Sequence, residues 1–394
     1  MNQTVVVELG SSRIKCGYAG ESRPRRVLFS RGGIGRDGGE PWAVELDGLG
    51  DSTACKWTSP FRYSQSPGGV DALKSTHEWE KTLYPLLLHI LTSILFIQRP
   101  MRHRMLVIVN DIFLPTNFRD ALHRVALEYL SLGGLWIANG GHFESMHYLL
   151  EGMPPRSPHG GRPKAHTIVD IGAKESRVVV SVSGSSILES THRATISGYE
   201  SFLANVKQTC NGAEHNQVTS LDDANEAVQA WSSSSRDAET VSVQFEENKE
   251  PVQIRTEAMV EAFHRTYLDF TSPFSLVFAV LSCLLECPVD YRRSALQNIV
   301  LIGGGSVALR GIGDGGIASQ LRHAIQQACS GIEQEEEKKD DGPSAIASFR
   351  FRSLGKVAND TDIYYPDPLA ADLAVWIGGS VIGTLRHSHK YHKK

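Results

Sequence analysis

The chain has 394 residues, of which 41% are hydrophobic and 21% are charged, and its formal net charge is −4. A chain of this length can bury a large core and favours two lobes over one, and its composition is ordinary for a globular protein. The slightly acidic balance gives no reason to expect a nucleic-acid partner. The six cysteines show no CxxC pair or framework spacing, which favours a reducing cytoplasm.

The first part of the chain opens with a predicted β-hairpin and a further strand within 5–29, and no secretory signal is expected before them. An irregular, glycine-rich insertion is predicted at 30–75. Apolar spacing then indicates alternating helices and strands. Their predicted ranges are 77–97 (helix), 104–109 (strand), 117–130 (helix), 135–138 (strand) and 143–151 (helix).

The second part follows a basic loop, rich in proline and glycine, at 152–165. It also opens with a predicted hairpin, at 167–182, whereas 205–250 is polar, short of apolar periodicity and expected to be a reduced lobe. The remaining predicted elements are helices at 256–266 and 274–287, a charged loop at 333–342, a strand at 349–353, a helix at 370–385 and a basic tail at 386–394.

Two apolar stretches, 83–97 and 274–287, raise the question of a membrane span. Both are shorter than the roughly 18–20 residues that a spanning helix needs. We therefore predict buried helices at both places and no insertion into a membrane.

Three apolar strands end in turns that combine glycine with an acid or with further glycines, within 5–15, 167–173 and 299–306. The first two share one order: strand, acid, one intervening residue, glycine and a second strand, which indicates a weak internal repeat. Glycine lets main-chain N–H groups approach an anion, and an adjacent acid can hold a hydrated Mg²⁺. A single such turn is more often a plain hairpin, but three in this order indicate a phosphate site.

The candidate residues of this site come from all three turns. Those predicted to contact a nucleotide are Gly10, Ser11, Ser12, Lys15, Asp170, Gly172, Gly303, Gly304, Gly305 and Ser306. Glu8 and Asp170 are the candidate ligands of a Mg²⁺ ion, acting through water, and Lys15 adds a point charge for phosphate.

These segments resemble actin and the actin-related proteins. The stretch 7–21 is similar to the family's first phosphate loop, and 168–172 to its second. The stretches 287–293 and 298–306, with Gly311, are similar to its adenosine motif and lead-in, and 374–380 to the connecting segment near its C-terminus. The resemblance implies a duplicated, ribonuclease-H-like α/β fold with two lobes and a cleft between them.

The resemblance also implies how the lobes divide the chain. The expected ranges are 1–29, 76–150 and 366–394 for the first lobe, 30–75 for a divergent pointed-end insertion, 151–196 and 276–365 for the second lobe, and 197–275 for a reduced subdomain.

Several positions depart from the family's pattern. Glu8 is one methylene longer than the family's aspartate, Ala173 replaces an acid, and Lys174 replaces a glycine, where it either weakens the turn or adds a charge for phosphate. Arg177 stands for the histidine that helps order the attacking water, and Asp372 for a lysine along the adenine. Because phosphoryl transfer depends on positioning, we expect no catalytic residues and no ATPase, with ATP or ADP and Mg²⁺ as structural ligands only.

Within the family, three segments are most similar to an actin-related subunit of the dynactin pointed-end complex: 125–130, the altered second loop at 170–176, and 287–293. This implies a structural subunit that caps the pointed end of dynactin's filament of actin-related subunits. Its partners would be that filament, the other pointed-end subunits and, indirectly, dynein, in microtubule-based transport in the cytoplasm and cytoskeleton. The divergent segments 30–75 and 205–250 offer no apolar core for a next subunit, so growth is expected to stop at this face. Because only nine residues follow Leu385, the filament-facing contact is expected on other surfaces, around 148–155.

Two other functions stay open at the level of sequence. One is a nuclear actin-related subunit of a chromatin-remodelling complex, which would have the same fold but different partners. The other is an ATPase of the actin, sugar-kinase and chaperone superfamily, which Ala173 and Lys174 disfavour because that chemistry needs an intact second phosphate loop.

Overall fold

A computed structural model of the chain describes seventeen separate stretches of it. They are residues 4–30, 32–34, 56–58, 75–98, 104–108, 115–137, 146, 149–150, 164–182, 185–186, 192–195, 197–211, 218–234, 238–245, 250–313, 315–330 and 350–387. Several predicted segments lie wholly or largely outside these residues, namely the helix at 143–151, the loop at 152–165, most of the insertion at 30–75, the charged loop at 333–342 and the tail from 388 onward.

Internal contacts divide the chain into two compact units. The first unit comprises Met1–Arg156 and Leu373–Lys394, and the second unit is the continuous segment Ser157–Asp372. The finer boundaries expected for the lobes, the insertion and the reduced subdomain stay a prediction.

The described part of the first unit is built on a mixed sheet. Its strands, numbered along the chain, are β1 (Val5–Leu9), β2 (Arg13–Tyr18), β3 (Arg26–Phe29), β4 (Gly32–Ile34), β5 (Lys56–Thr58), β6 (Met105–Ile108) and β7 (Gly134–Ile137). The main sheet has the order β3-β2-β1-β6-β7, while β4 and β5 pair with each other. Strand β1 runs antiparallel to β2 and parallel to β6, and all its residues are buried, as is typical of a strand covered on both faces.

Two helices of the first unit pack together through their apolar faces. They are α1 (Thr76–His89) and α2 (Thr116–His123), which continue as π-helical turns, Ile90–Ile94 and Arg124–Tyr129. Trp79 of α1 meets Phe118 of α2 edge to face, with the ring centroids 4.8 Å apart and both side chains fully buried. The helices predicted at 77–97 and 117–130 are therefore confirmed.

The second unit repeats the arrangement of the first sheet. Its strands are β8 (Ala165–Ile171), β9 (Ser176–Val182), β10 (Ser185–Ser186), β11 (His192–Thr195), β12 (Thr240–Val243), β13 (Val252–Arg255), β14 (Ile299–Ile302) and β15 (Ile363–Tyr364). The main sheet has the order β10-β9-β8-β14-β15, with β11 also on β9. As in the first unit, a hairpin is extended beyond its first strand by parallel strands, β14 and then β15. This shared order confirms the internal repeat and the α/β fold predicted from the sequence.

The described ranges of the second unit also contain several helices. They are α3 (Tyr199–Cys210), α4 (Leu221–Ser233), α5 (Thr256–Phe263), α6 (Leu276–Glu286), α7 (Val289–Leu296), α8 (Gly304–Ala308), α9 (Gly316–Ser330) and α10 (Gly355–Ala358). Helix α6, predicted at 274–287, is almost wholly buried in the core of this unit. No helix in the described ranges combines the length and the apolar character that crossing a membrane requires.

Two predictions for the second unit are wrong. The strand predicted at 349–353 is helical where it is described, because Phe351, Leu354 and Ala358 are buried at the spacing of one helix face. The polar segment 205–250 does have apolar periodicity, since α4 buries Ala224 together with two further side chains, Ala227 and Val228, in the same core. Its inner face is made of small residues, which a count of large apolar side chains overlooks.

The C-terminal helix, Ala374–His387, returns the chain to the first unit. Trp376 is fully buried and its indole Nε1–H donates to the carbonyl oxygen of Val6 at 3.2 Å. Ser380 Oγ accepts from the N–H of Gly20 at 2.9 Å and donates to the carbonyl oxygen of Glu21 at 2.8 Å. The helix therefore closes the first sheet by both packing and hydrogen bonds.

Trp376→Ala should lower the free energy of unfolding by about 3–5 kcal/mol, because it leaves a large cavity and an unsatisfied carbonyl at Val6. Leu385→Ala, on the same helix but 47% exposed, is the matched control and should change it by less than about 0.5 kcal/mol. Urea unfolding monitored by circular dichroism measures both. Equal effects of the two substitutions would show that this helix is not packed as described.

A capping box begins α4, and it makes stability depend on pH. The N–H of Asp223 donates to Ser220 Oγ, and Asp223 Oδ2 accepts from the N–H groups of Ser220 and Thr219. Burial by itself raises the pKa of Asp223, but hydrogen bonds from Thr219 and Ser220 more than offset it and lower the pKa from 3.8 to about 2. The stabilisation is therefore present above pH 3.8 and is lost as the pH falls toward 2.

Asp223→Ala should lower the free energy of unfolding at neutral pH by about 0.5–2 kcal/mol, as the loss of a cap does. The difference from the unsubstituted protein should shrink steadily as acid protonates Asp223. Urea titrations at a series of pH values measure it, with the exposed neighbour Asp222→Ala as control. A difference that does not change with pH would contradict the assigned hydrogen bonds.

Candidate functional site

The first glycine turn joins β1 to β2. Gly10 donates its N–H to the carbonyl oxygen of Arg13 at 3.1 Å, and a Cβ at Gly10 would lie 2.5 Å from that oxygen, so only glycine is accommodated. Ser11 is half-buried and Ser12 is exposed at the tip of the turn. The structure thus brings the predicted residues of this turn together and shows that the N–H of Gly10 serves the turn itself.

Glu8 and Lys15 face each other across this hairpin. They are cross-strand partners in the register of β1 and β2, and Lys15 Nζ lies 2.6 Å from Glu8 Oε1. The two side chains are only 8% and 10% exposed, respectively. A charge-assisted hydrogen bond of this kind offsets part of the cost of burying both charges.

The second glycine turn joins β8 to β9 in the same way. Gly172 donates its N–H to the carbonyl oxygen of Glu175 at 3.0 Å, three residues on, as Gly10 does in the first unit. The carbonyl oxygens of Gly172 and Ala173 accept the N–H groups of Tyr199 and Glu200 at 3.0 and 2.8 Å. The second turn therefore caps the N-terminus of α3, whose first N–H groups would otherwise be unsatisfied.

The loop is fixed by its contacts with α3. A Cβ at Gly198 would lie 2.3 Å from the carbonyl carbon of Lys174, so the two backbones meet where only glycine fits. Lys174 Nζ is hydrogen-bonded to the carboxylate of Glu200. The charge that Lys174 adds is thus paired with an acid of this chain, whereas the sequence suggested phosphate as a possible partner.

Asp170 and Arg177 face each other across the second hairpin, at the same register as Glu8 and Lys15 in the first. Arg177 Nη1 lies 3.4 Å from Asp170 Oδ2, while its Nε and Nη2 lie 3.0 and 2.5 Å from Glu175 Oε1. Arg177 is 11% exposed and the two acids 6% each. A buried guanidinium is thus shared by two carboxylates.

The third glycine turn, which links β14 to α8, packs against the second. Gly303 has φ +92° and donates its N–H to the carbonyl oxygen of Ala371 at 3.1 Å. A Cβ at Gly303 would lie 2.2 Å from Asp170 Oδ1, and one at Gly305 would lie 2.6 Å from Cγ2 of Ile171. Gly304 is exposed, and a Cβ added there would have no neighbour within 4 Å. The buried hydroxyl of Ser306 donates to the carbonyl oxygen of Gly303.

The roles of Glu175, Gly198 and Glu200 are not evident from the sequence. The pairing of Arg177, by contrast, has a signal in the sequence beyond its replacement of a histidine. Asp170 and Arg177 are seven residues apart around a hairpin turn, as are Glu8 and Lys15. In a hairpin of known turn length, that spacing places the two side chains opposite each other.

The predicted Mg²⁺ ligands are engaged by cations of the chain. Asp170 Oδ2 contacts Arg177, and Glu8 Oε1 contacts Lys15, which leaves Glu8 Oε2 as a buried oxygen without a hydrogen-bond partner among the described residues. Nor do the described ranges contain any group of three or more His, Cys, Asp or Glu side chains arranged to hold a metal ion. The predicted metal ligand Asp170 is therefore already in contact with a guanidinium, which it shares with Glu175.

A comparison with protein families identifies the fold's relatives. Residues 1–251 match the sequence model of the family described as actin. This match covers well over half of the chain, so the chain belongs to the actin family. Both hairpin turns lie inside the matched residues, whereas the glycine turn at 303–306 lies beyond them. The expectation of actin-family membership and of an actin-like α/β fold is confirmed.

The third glycine turn offers a test with a built-in control. Gly303→Ala should lower the free energy of unfolding by at least about 1–3 kcal/mol, because φ +92° is strained for alanine and its Cβ would meet Asp170. Gly304→Ala, one residue on and in open space, should change it by less than about 1 kcal/mol. Thermal and urea unfolding of the two variants measure this difference. Similar stabilities would refute the close approach of Gly303 to Asp170.

Proposed function

We propose that this member of the actin family is a non-catalytic structural subunit of dynactin. It caps the pointed end of the dynactin filament and links that filament to the other pointed-end subunits, in dynein-driven transport along microtubules. The proposal is supported by family membership and by the resemblance of 125–130, 170–176 and 287–293 to actin-related protein 10, of class ten or eleven. It places the protein in the cytoplasm, with the cytoskeleton.

The absence of catalysis is supported by one observation above all, the engagement of Arg177. In the relatives that the sequence resembles, a histidine at this position helps order the attacking water. Here the guanidinium lies between Asp170 and Glu175, and it carries only N–H donors and cannot give up its proton. It can therefore neither accept a proton from water nor orient water by accepting a hydrogen bond.

The neighbouring positions favour the same conclusion. Ala173 offers no carboxylate, and its carbonyl oxygen is hydrogen-bonded to α3. Lys174 is paired with Glu200. We propose ATP or ADP as a structural ligand only, contacted by the glycine turns and Lys15, since groups that would position a nucleophile have been replaced.

The capping role is supported by the surface of α4 within the segment that the family uses for subunit docking. Its exposed side chains are almost all polar, with Leu221 as the exception. The polar ones are Asp222, Glu226, Gln229, Ser232 and Ser233. An interface core is depleted of charged residues, so this face is poorly suited to receive another subunit. A subunit that binds a filament through one face and rejects a neighbour at the other stops its growth.

Affinity purification of the tagged, full-length protein from its own cells, followed by mass spectrometry, tests the proposal. We expect the dynactin filament subunit in large excess over the tagged chain, together with the other pointed-end subunits. Recovery of chromatin-remodelling subunits instead would leave the fold standing and refute the function. Untagged cells processed in parallel give the background.

Hydrolysis is tested on the same eluate. Nucleotide extracted from it identifies ATP or ADP, and single-turnover incubation with labelled ATP measures cleavage. We expect no turnover above that of a preparation denatured before the assay. Turnover at the rate of a family ATPase measured alongside would refute the non-catalytic assignment, whatever partners are recovered.

A further inference from the structure

Each unit contains an acid and a base that face each other across its first hairpin. Glu8 pairs with Lys15 in the first unit, and Asp170 with Arg177 in the second, at equivalent positions of the repeated turn. Arg177 is thus the counterpart of Lys15 in the repeat. It differs in being shared, because Glu175 also contacts it.

The guanidinium lies beside one carboxylate oxygen of Asp170, where it takes up space that a bound cation would need. Arg177 contacts Asp170 Oδ2, while Asp170 Oδ1 lies against the backbone of Gly303, where a Cβ would be only 2.2 Å away. A Mg²⁺ ion keeps an octahedral shell of waters and needs open space and negative charge on the carboxylate that holds it. The guanidinium takes up space beside Oδ2 and offsets one of the two negative charges of Asp170 and Glu175. As a cation it also repels a divalent ion.

Several contacts hold Arg177 in place beside Asp170. Its planar head makes two hydrogen bonds to Glu175 in addition to its contact with Asp170, and all three side chains are nearly buried. Withdrawing it would leave Asp170 and Glu175 buried together without a positive charge, which is strongly unfavourable.

We propose that Arg177 is a resident cation that replaces the divalent metal at the second glycine turn, so that Asp170 holds neither Mg²⁺ nor a related ion. Nucleotide bound by this chain is then bound without a metal ion on Asp170. The inference stands on the contacts of Arg177 and is independent of the partners proposed above.

Binding of Mn²⁺ alone to the purified full-length protein, measured by electron paramagnetic resonance of the free ion, tests this. The unsubstituted protein should bind no more Mn²⁺ than its Asp170→Asn variant, which provides the background from any other site. Arg177→Gln should gain a stoichiometric Mn²⁺ site, because two buried carboxylates lose their cation. Adding Asp170→Asn to Arg177→Gln should weaken that site by roughly tenfold or more.

Two controls keep the result decisive. Arg322→Gln removes an arginine that pairs with Asp362 at 2.9 Å elsewhere in the second unit, and it should create no site. Arg177→Lys keeps a positive charge and should bind no additional Mn²⁺, even if Arg177→Gln folds poorly. The proposal is overturned if the unsubstituted protein binds Mn²⁺ that Asp170→Asn abolishes, or if folded Arg177→Gln gains none.

Discussion

A buried acid facing a buried base across the first hairpin of each sheet is the constraint on which the rest of the site depends. Glu8 with Lys15 and Asp170 with Arg177 can be buried only as pairs, because an isolated charge in these positions is costly. A slip of one residue in either hairpin would send one partner to the opposite face and leave the other alone. The pairs therefore fix the hairpin register, and the register in turn places Gly10 and Gly172 at their turns.

The hydrogen bonds of the glycine turns explain how a fold of this family can be kept independently of its chemistry. The N–H groups of Gly10, Gly172 and Gly303 are hydrogen-bonded to carbonyl oxygens of the chain itself, and the carbonyls of the second turn cap α3. The glycines are thus needed for close approach of backbones whether or not a ligand is present. Glycine turns alone indicate the fold, whereas the activity depends on the side chains around them.

Much of the fold could be predicted from sequence, because its central strands are continuous apolar runs and its helices carry regular apolar spacing. Strand β1, strand β14 and helix α1 are clear examples. A strand was wrongly predicted at 349–353 because its alternating aromatic and basic residues have the period of a strand. The residues that follow complete the buried face of a helix. Helix α4 was missed because alanines form much of its inner face.

The site was harder to predict than the fold, for a physical reason. Sequence position indicated which residues belong to each turn, and these do come together within each unit. It did not indicate what the charges contact, because Arg177 was assigned a role by comparison with a histidine instead of by its cross-strand neighbour. Partners across a hairpin depend on turn length, which becomes certain only when the register is known.

The return of the C-terminal helix to β1 has a consequence for the order of assembly during translation. The second unit is one unbroken segment, so all of it leaves the ribosome before Trp376 and Ser380 emerge. The first unit, although synthesised earlier, must wait with the carbonyl of Val6 and the surrounding apolar surface uncovered until those residues arrive. A nascent chain of this protein therefore exposes the apolar surface of an incomplete sheet for most of its synthesis. Such surface is prone to aggregate, so chaperones are most needed during this period.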